Sequence, residues 1–166
     1  MNFFEQEFAK ADDFTKLFDL VKLCVNEVLG RSRAGIMLGL SPLGTSPQGF
    51  IGAYHQLGSN LIVLNESLLQ RIGRQRPELL KHHVFHLLLH EYVHSLGIVD
   101  EQSTRLLTEA VTEKVFGPEH ILSMVAKNFE KYLPDLRHAP ADFQPPEQAH
   151  ITLLDSFGQE DVGYIG

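Results

Sequence analysis

The reading of this chain turns on one stretch, His90-Glu91-Tyr92-Val93-His94-Ser95-Leu96-Gly97-Ile98-Val99-Asp100. On a helix, two histidines four apart lie one turn apart, so their imidazoles leave the same face and can share one metal ion. Glu91 stands about 100° round the helix from His90 and cannot be a ligand of the same geometry. It can reach a water on that metal and take its proton. The pentapeptide alone is a weak signal, and its surroundings strengthen it. Leu79, Leu80, Val84, Leu87, Leu88, Leu89, Val93 and Leu96 make the segment apolar apart from its histidines. Polar groups buried in such a helix need a compensating partner. The helix is expected to open near Pro77, a residue suited to a first helical position, and to stop at Gly97.

Outward from this helix, the chain alternates helical and strand-like patterns. Apolar spacings of three and four from Phe8 to Leu29 predict an amphipathic helix ended by Gly30. Ala34–Leu40, Phe50–His55 and Leu61–Leu64 read as strands, the last two forming a hairpin across Gln56–Asn60. Asn65 is placed to cap a short helix through Leu68, Leu69 and Ile72. Further helices are expected from about Asp100 to Phe116 and from Glu119 to Tyr132. A Pro-rich segment follows from about residue 134, with a last apolar piece at His150–Leu154. From His138 to Gly166 its mix of acids and apolar side chains predicts that part of it docks on the domain, either beside the active site, where it would restrict access, or on the far side. A chain of 166 residues suits one domain, 1–166.

A net charge of −7 argues against nucleic acid or an anionic membrane as the main partner. No apolar run approaches the roughly 18 residues of a membrane span. The acidic N-terminus does not resemble a signal peptide, and the single cysteine, Cys24, fits a reducing interior; a cytoplasmic protein is expected. Cys24 falls on the core stripe of the first helix.

From His90 to Asp100 the sequence is similar to the extended zinc motif of zincin-type metallopeptidases, in the metzincin-like form where aspartate replaces a third histidine. In that motif the glycine permits a sharp turn that brings the third ligand under the first two. The resemblance spans about residues 50 to 117, and no methionine turn follows, so the subfamily stays open. It implies an α+β, zincin-like fold. About three strands would pack on an N-terminal helix and the active-site helix, with one or two helices after it. The strand before the active-site helix would hold an extended peptide by strand addition.

On that resemblance the metal is Zn2+, with His90, His94 and Asp100 as ligands and Glu91 as the catalytic base. Glu101, next door, would replace Asp100 if the turn were one residue longer. Glu109, on the following helix, would close a gluzincin-type site. Asp100 also suits a helix N-cap. His82, His86, His90 and His94 fall at four-residue steps, but the stripe drifts about 40° per step, so His86 is expected to face solvent or support the ligands. His83, His120, His138 and His150 read as isolated structural or surface residues. Tyr54 and His120 are candidates for stabilising a transition state. The function expected is zinc-dependent hydrolysis of a peptide or protein substrate. The alternatives are a zinc-stabilised binding module and a zinc-dependent, ribonuclease-like hydrolase.

Overall fold

A computed structural model describes residues 2–140 and 142–154 of the chain. The first helical segment is two helices, α1 (Phe3–Lys10) and α2 (Phe14–Leu29). The break falls where Ala11 is extended and the Asp13 side chain accepts from Lys16 N, so the better N-cap restarts the helix. After α2 come β1 (Met37–Ser41), β2 (Phe50–Ile51), β3 (Ala53–His55) and β4 (Leu61–Asn65). Asn65 caps α3 (Glu66–Gln75), as its position predicts. Asn65 is wholly buried, and its amide uses every bonding position: Nδ2 donates to Gly44 and Ile51 carbonyls, and Oδ1 accepts from Leu43 and Ser67 amides.

Pro77–Leu79 forms a single 3-10 turn that leads into α4 (Leu80–Ser95). Gly97, with φ +99°, then turns the chain, and α5 (Glu101–Phe116) follows. The last helical region divides at Asn128 into α6 (Ile121–Lys127) and α7 (Phe129–Tyr132). Among the described residues three helices therefore follow α4, where one or two are expected.

Among the described residues the main sheet has four strands where about three are expected. The fourth is β6 (Thr152–Leu154), and the order is β3-β4-β1-β6. The β3–β4 pair is the expected hairpin, in register Tyr54↔Val63 and His55↔Ile62. β1 runs parallel to β4 and antiparallel to β6. Gly52 separates β2 from β3 because the chain there is too tightly packed for a side chain. A Cβ would sit 2.9 Å from both Leu87 Cδ2 and Leu136 Cδ1. β2 leaves the sheet and pairs instead, in parallel, with β5 (Leu136–Arg137).

The fold is thus mixed α and β. α4 is buried nearly all round, with α2 packed on one side and β3 and β4 on another. The N-terminal helix reaches the sheet chiefly through α4, and one contiguous core joins them. β6 docks on the sheet edge opposite β3, so this part of the C-terminal segment lies away from α4. Residues 155–166 of that segment lie outside the described residues. Among the described residues, no helix is long and apolar enough to cross a membrane.

Candidate metal centre

α4 presents His90 and His94 on one face, as their spacing requires, and both are buried. The C-terminal end of that helix is held by two arginines. Arg31 donates to the Leu96 carbonyl at 2.6 Å. Arg33 donates to Ser95 O at 2.6 Å and Ser59 O at 3.0 Å, and its backbone amide donates to Tyr92 Oη. These bonds satisfy carbonyls that a helix end leaves open and tie it to the β3–β4 hairpin.

The third group at the histidine pair is Glu101. Its Oε1 lies 2.6 Å from His90 Nε2 and its Oε2 3.0 Å from His94 Nε2. Asp100, expected to be the ligand, is not brought there. Its exposed carboxylate accepts from Ser103 N at 2.7 Å and caps α5. Capping fixes Asp100 outside the first turn of α5 and leaves Glu101, the first helical residue, facing back toward α4. Glu109 is not part of the group either; it lies half-buried, 3.5 Å from Arg105 Nε.

The chemistry of this triad suits a cation. His90 Nε2, His94 Nε2 and a Glu101 oxygen all lie within 4.8 Å of one another. His94 Nδ1 is 2.8 Å from the Ile98 carbonyl while Nε2 faces Glu101, so acceptors stand at both ring nitrogens. A neutral imidazole has one N–H to give. With Nδ1–H spent on Ile98, Nε2 offers a lone pair against a carboxylate, which a cation between them resolves. Burial favours the neutral form of His90 despite Glu101. Burial also disfavours the Glu101 carboxylate, but the His90 and His94 rings against it outweigh that and hold the group well below the usual range. Two imidazoles and one ionised carboxylate form the donor set of an open, three-ligand zinc site.

Glu91 lies beside the triad and outside it. It is 1% exposed, and neither carboxylate oxygen has a hydrogen-bond partner. Burial pushes its pKa well up, and the Glu101 charge adds to this. The His55 backbone amide, on edge strand β3, stands near enough to oppose the shift without forming a hydrogen bond.

The structure adds two histidines to this neighbourhood. His138, which reads as isolated in the sequence, stacks flat on His90, with ring centroids 3.7 Å and planes 9° apart. A His138 nitrogen, a His90 nitrogen and a Glu91 oxygen also lie within 4.8 Å of one another. No local pattern signals this, because the β2–β5 pairing delivers His138. His86 does not face solvent. It is 3% exposed, stacked on Phe129, with both ring nitrogens unpartnered.

His120 lies elsewhere: its Nδ1 caps α6 by accepting from Leu122 N, and its ring packs on Phe116. Tyr54 is on β3, its hydroxyl buried without a partner and its ring against Phe143. A cavity of about 750 Å³ opens beside the triad, with Glu101, Arg105, Phe129, Leu136, Arg137 and His138 in its walls.

Comparison with protein-family models, with curated proteins and with solved structures finds no match in any of the three.

Proposed function

We propose that this protein is a zinc-dependent peptidase of zincin-like fold, acting on a peptide or protein substrate in the cytoplasm. The observation that carries the reading is the division of labour on α4. His90 and His94 converge with Glu101, while Glu91 stands beside them with two free, buried carboxylate oxygens. Three protein donors leave a coordination position open, which a structural zinc site with four would not.

Zinc at this site would polarise a substrate carbonyl and acidify a water. The chain's own groups do the rest. His94 is oriented by its Nδ1 contact to Ile98, and the half-buried Glu101 spans both imidazoles. Glu91 accepts the proton that the water loses and returns it to the amide nitrogen as the C–N bond breaks. β3 is at the edge of its sheet, and its outer hydrogen-bonding groups suit an extended peptide. The cavity beside Glu101 would take a substrate side chain. The buried, unpaired Cys24 agrees with a reducing compartment.

The test is a zinc titration of the wild type and of Glu91→Gln, followed by digestion of a mixed peptide library read by mass spectrometry. Both proteins should bind one zinc, and only the wild type should cleave, with a rate loss of about 100-fold or more in the variant. A zinc-loaded wild type that cleaves nothing, or a variant as active as the wild type, would refute the reading and leave the binding module.

A further inference from the structure

His138 has no task in the reaction outlined above, yet its placement is over-determined. β5 is held to β2 in the register Phe50↔Leu136 and Ile51↔Arg137, and Phe50 N donates to Asp135 O at 3.0 Å. Leu136 and Ala139, on either side of His138 in sequence, are 2% and 1% exposed and anchor the segment. The ring is clamped between the His90 face and the edge of Phe129, whose centroid is 4.5 Å away. Its Nε2 is nevertheless buried with no partner, as are both oxygens of the neighbouring Glu91. Two unpartnered, buried polar groups on neighbouring side chains are costly unless a third group enters between them.

That third group is not the metal. The planes of His90 and His138 are 9° apart with centroids 3.7 Å apart. An ion shared by both nitrogens would sit about half that separation out of each ring plane, nearly its whole bond length of about 2.0–2.1 Å. Imidazole lone pairs lie in the ring plane, so a ligand of His90 cannot also be a ligand of His138 in this stack. An oxygen atom does fit. The attacking water can donate to Glu91 while the carbonyl oxygen it attacks accepts from His138, each over about 2.8 Å, where the Glu91 and His138 atoms lie within 4.8 Å of one another.

We infer that His138 is a further catalytic residue, a hydrogen-bond donor whose Nε2–H meets the oxygen of the peptide carbonyl under attack. The inference rests on the peptidase reading. In the step it serves, the water oxygen bonds to the carbonyl carbon and the π pair moves onto the carbonyl oxygen, which accepts from His138. The water's proton passes to Glu91, and the pair returns when the C–N bond breaks and the amide nitrogen takes that proton. A donor aimed at developing charge is worth more in the transition state than in the ground state.

Three variants of the full chain separate a donor from a packing role. His138→Phe keeps the ring on His90, His138→Gln keeps an N–H, and His138→Ala keeps neither. Zinc affinity should stay within about threefold in the Phe variant, which keeps all three ligands and a ring against His90. In Co2+-loaded protein, acetohydroxamate binding, read from the visible d–d bands, should weaken about tenfold or more in the Phe and Ala variants and recover partly in Gln. With a cleaved library peptide, kcat should fall about 100-fold in Phe and Ala with KM nearly unchanged. A Phe variant matching the wild type would make the residue structural, and a loss of zinc affinity in it would make His138 a ligand; either overturns the inference. A wild type that takes up neither metal would defeat the peptidase reading first, and this inference with it.

Discussion

Glu101 Oε1 lies 2.6 Å from His90 Nε2, so the first residue of one helix meets the middle of another at hydrogen-bond distance. The carboxylate is half-buried, and its second oxygen reaches His94. Which acid follows the glycine turn into the site is therefore a question of helix capping, and it has measurable consequences.

Glu101→Ala should lower zinc affinity by about 100-fold or more, whereas Asp100→Ala should leave it within about threefold. The Asp100 variant should instead lose about 1 kcal/mol of stability, the usual worth of an N-cap. Competition with a chromophoric chelator and urea denaturation read the two effects. The reverse order of affinities would return the ligand role to Asp100.

Arg33 joins the end of α4 to the hairpin through Ser95 O and Ser59 O. Arg33→Ala should destabilise the fold by about 1–3 kcal/mol and weaken zinc binding as well, because the end of the ligand helix frays. An urea midpoint unchanged from wild type would show that solvent serves these carbonyls equally well.

Gly52 leaves no room for a methyl group between Leu87 and Leu136. Gly52→Ala should cost about 1–3 kcal/mol as the β5 segment is pushed from α4. Because β5 leads into His138, the amide and imidazole signals of that residue should shift in NMR spectra. Unchanged spectra would mean the leucines yield instead.

Stability of the metal-free protein should fall between pH 7 and pH 5. Burial pushes His83 down to about 4, and His82 and His120 shift in the same direction for the same reason. Such groups favour the fold above the unfolded pKa near 6.5, and that contribution is lost as pH falls and the unfolded chain takes up protons. His83 alone accounts for about 1.4 kcal/mol by pH 5.5. Urea midpoints measured across this range in the presence of EDTA test it, and a flat profile would contradict it.

Cys24 is wholly buried on α2, and burial pushes its thiol up to about 12. It should therefore resist Ellman's reagent at pH 8 in the native protein and react as one thiol per chain in denaturant. Rapid labelling of the native protein would place the residue at the surface.

Much of this arrangement is legible in short windows of sequence. His90, Glu91 and His94 need no more than the 3.6-residue repeat to share a helix, and Gly97 and Asn65 announce a turn and a cap through their own backbone and side-chain chemistry. The break between α1 and α2 is harder, because apolar spacing runs through it and only the Asp13 cap marks it. The choice of Glu101 over Asp100 is harder still. Both follow the glycine, and the outcome depends on a single bond from Ser103 N that commits Asp100 to the helix start.

Periodicity and capping act over a few residues, so they are written locally. They place His90, Glu91 and His94 on one helix and mark most of the elements around it before any contact between distant segments is made. The stack of His138 on His90, the unpartnered burial of His86 and the docking of β6 on the edge away from β3 have no such local cause. They follow from long-range pairing of β2 with β5 and of β1 with β6 and from the packing of Phe129 on α4, where the gain comes from burying surfaces that meet only once the chain has folded back on itself.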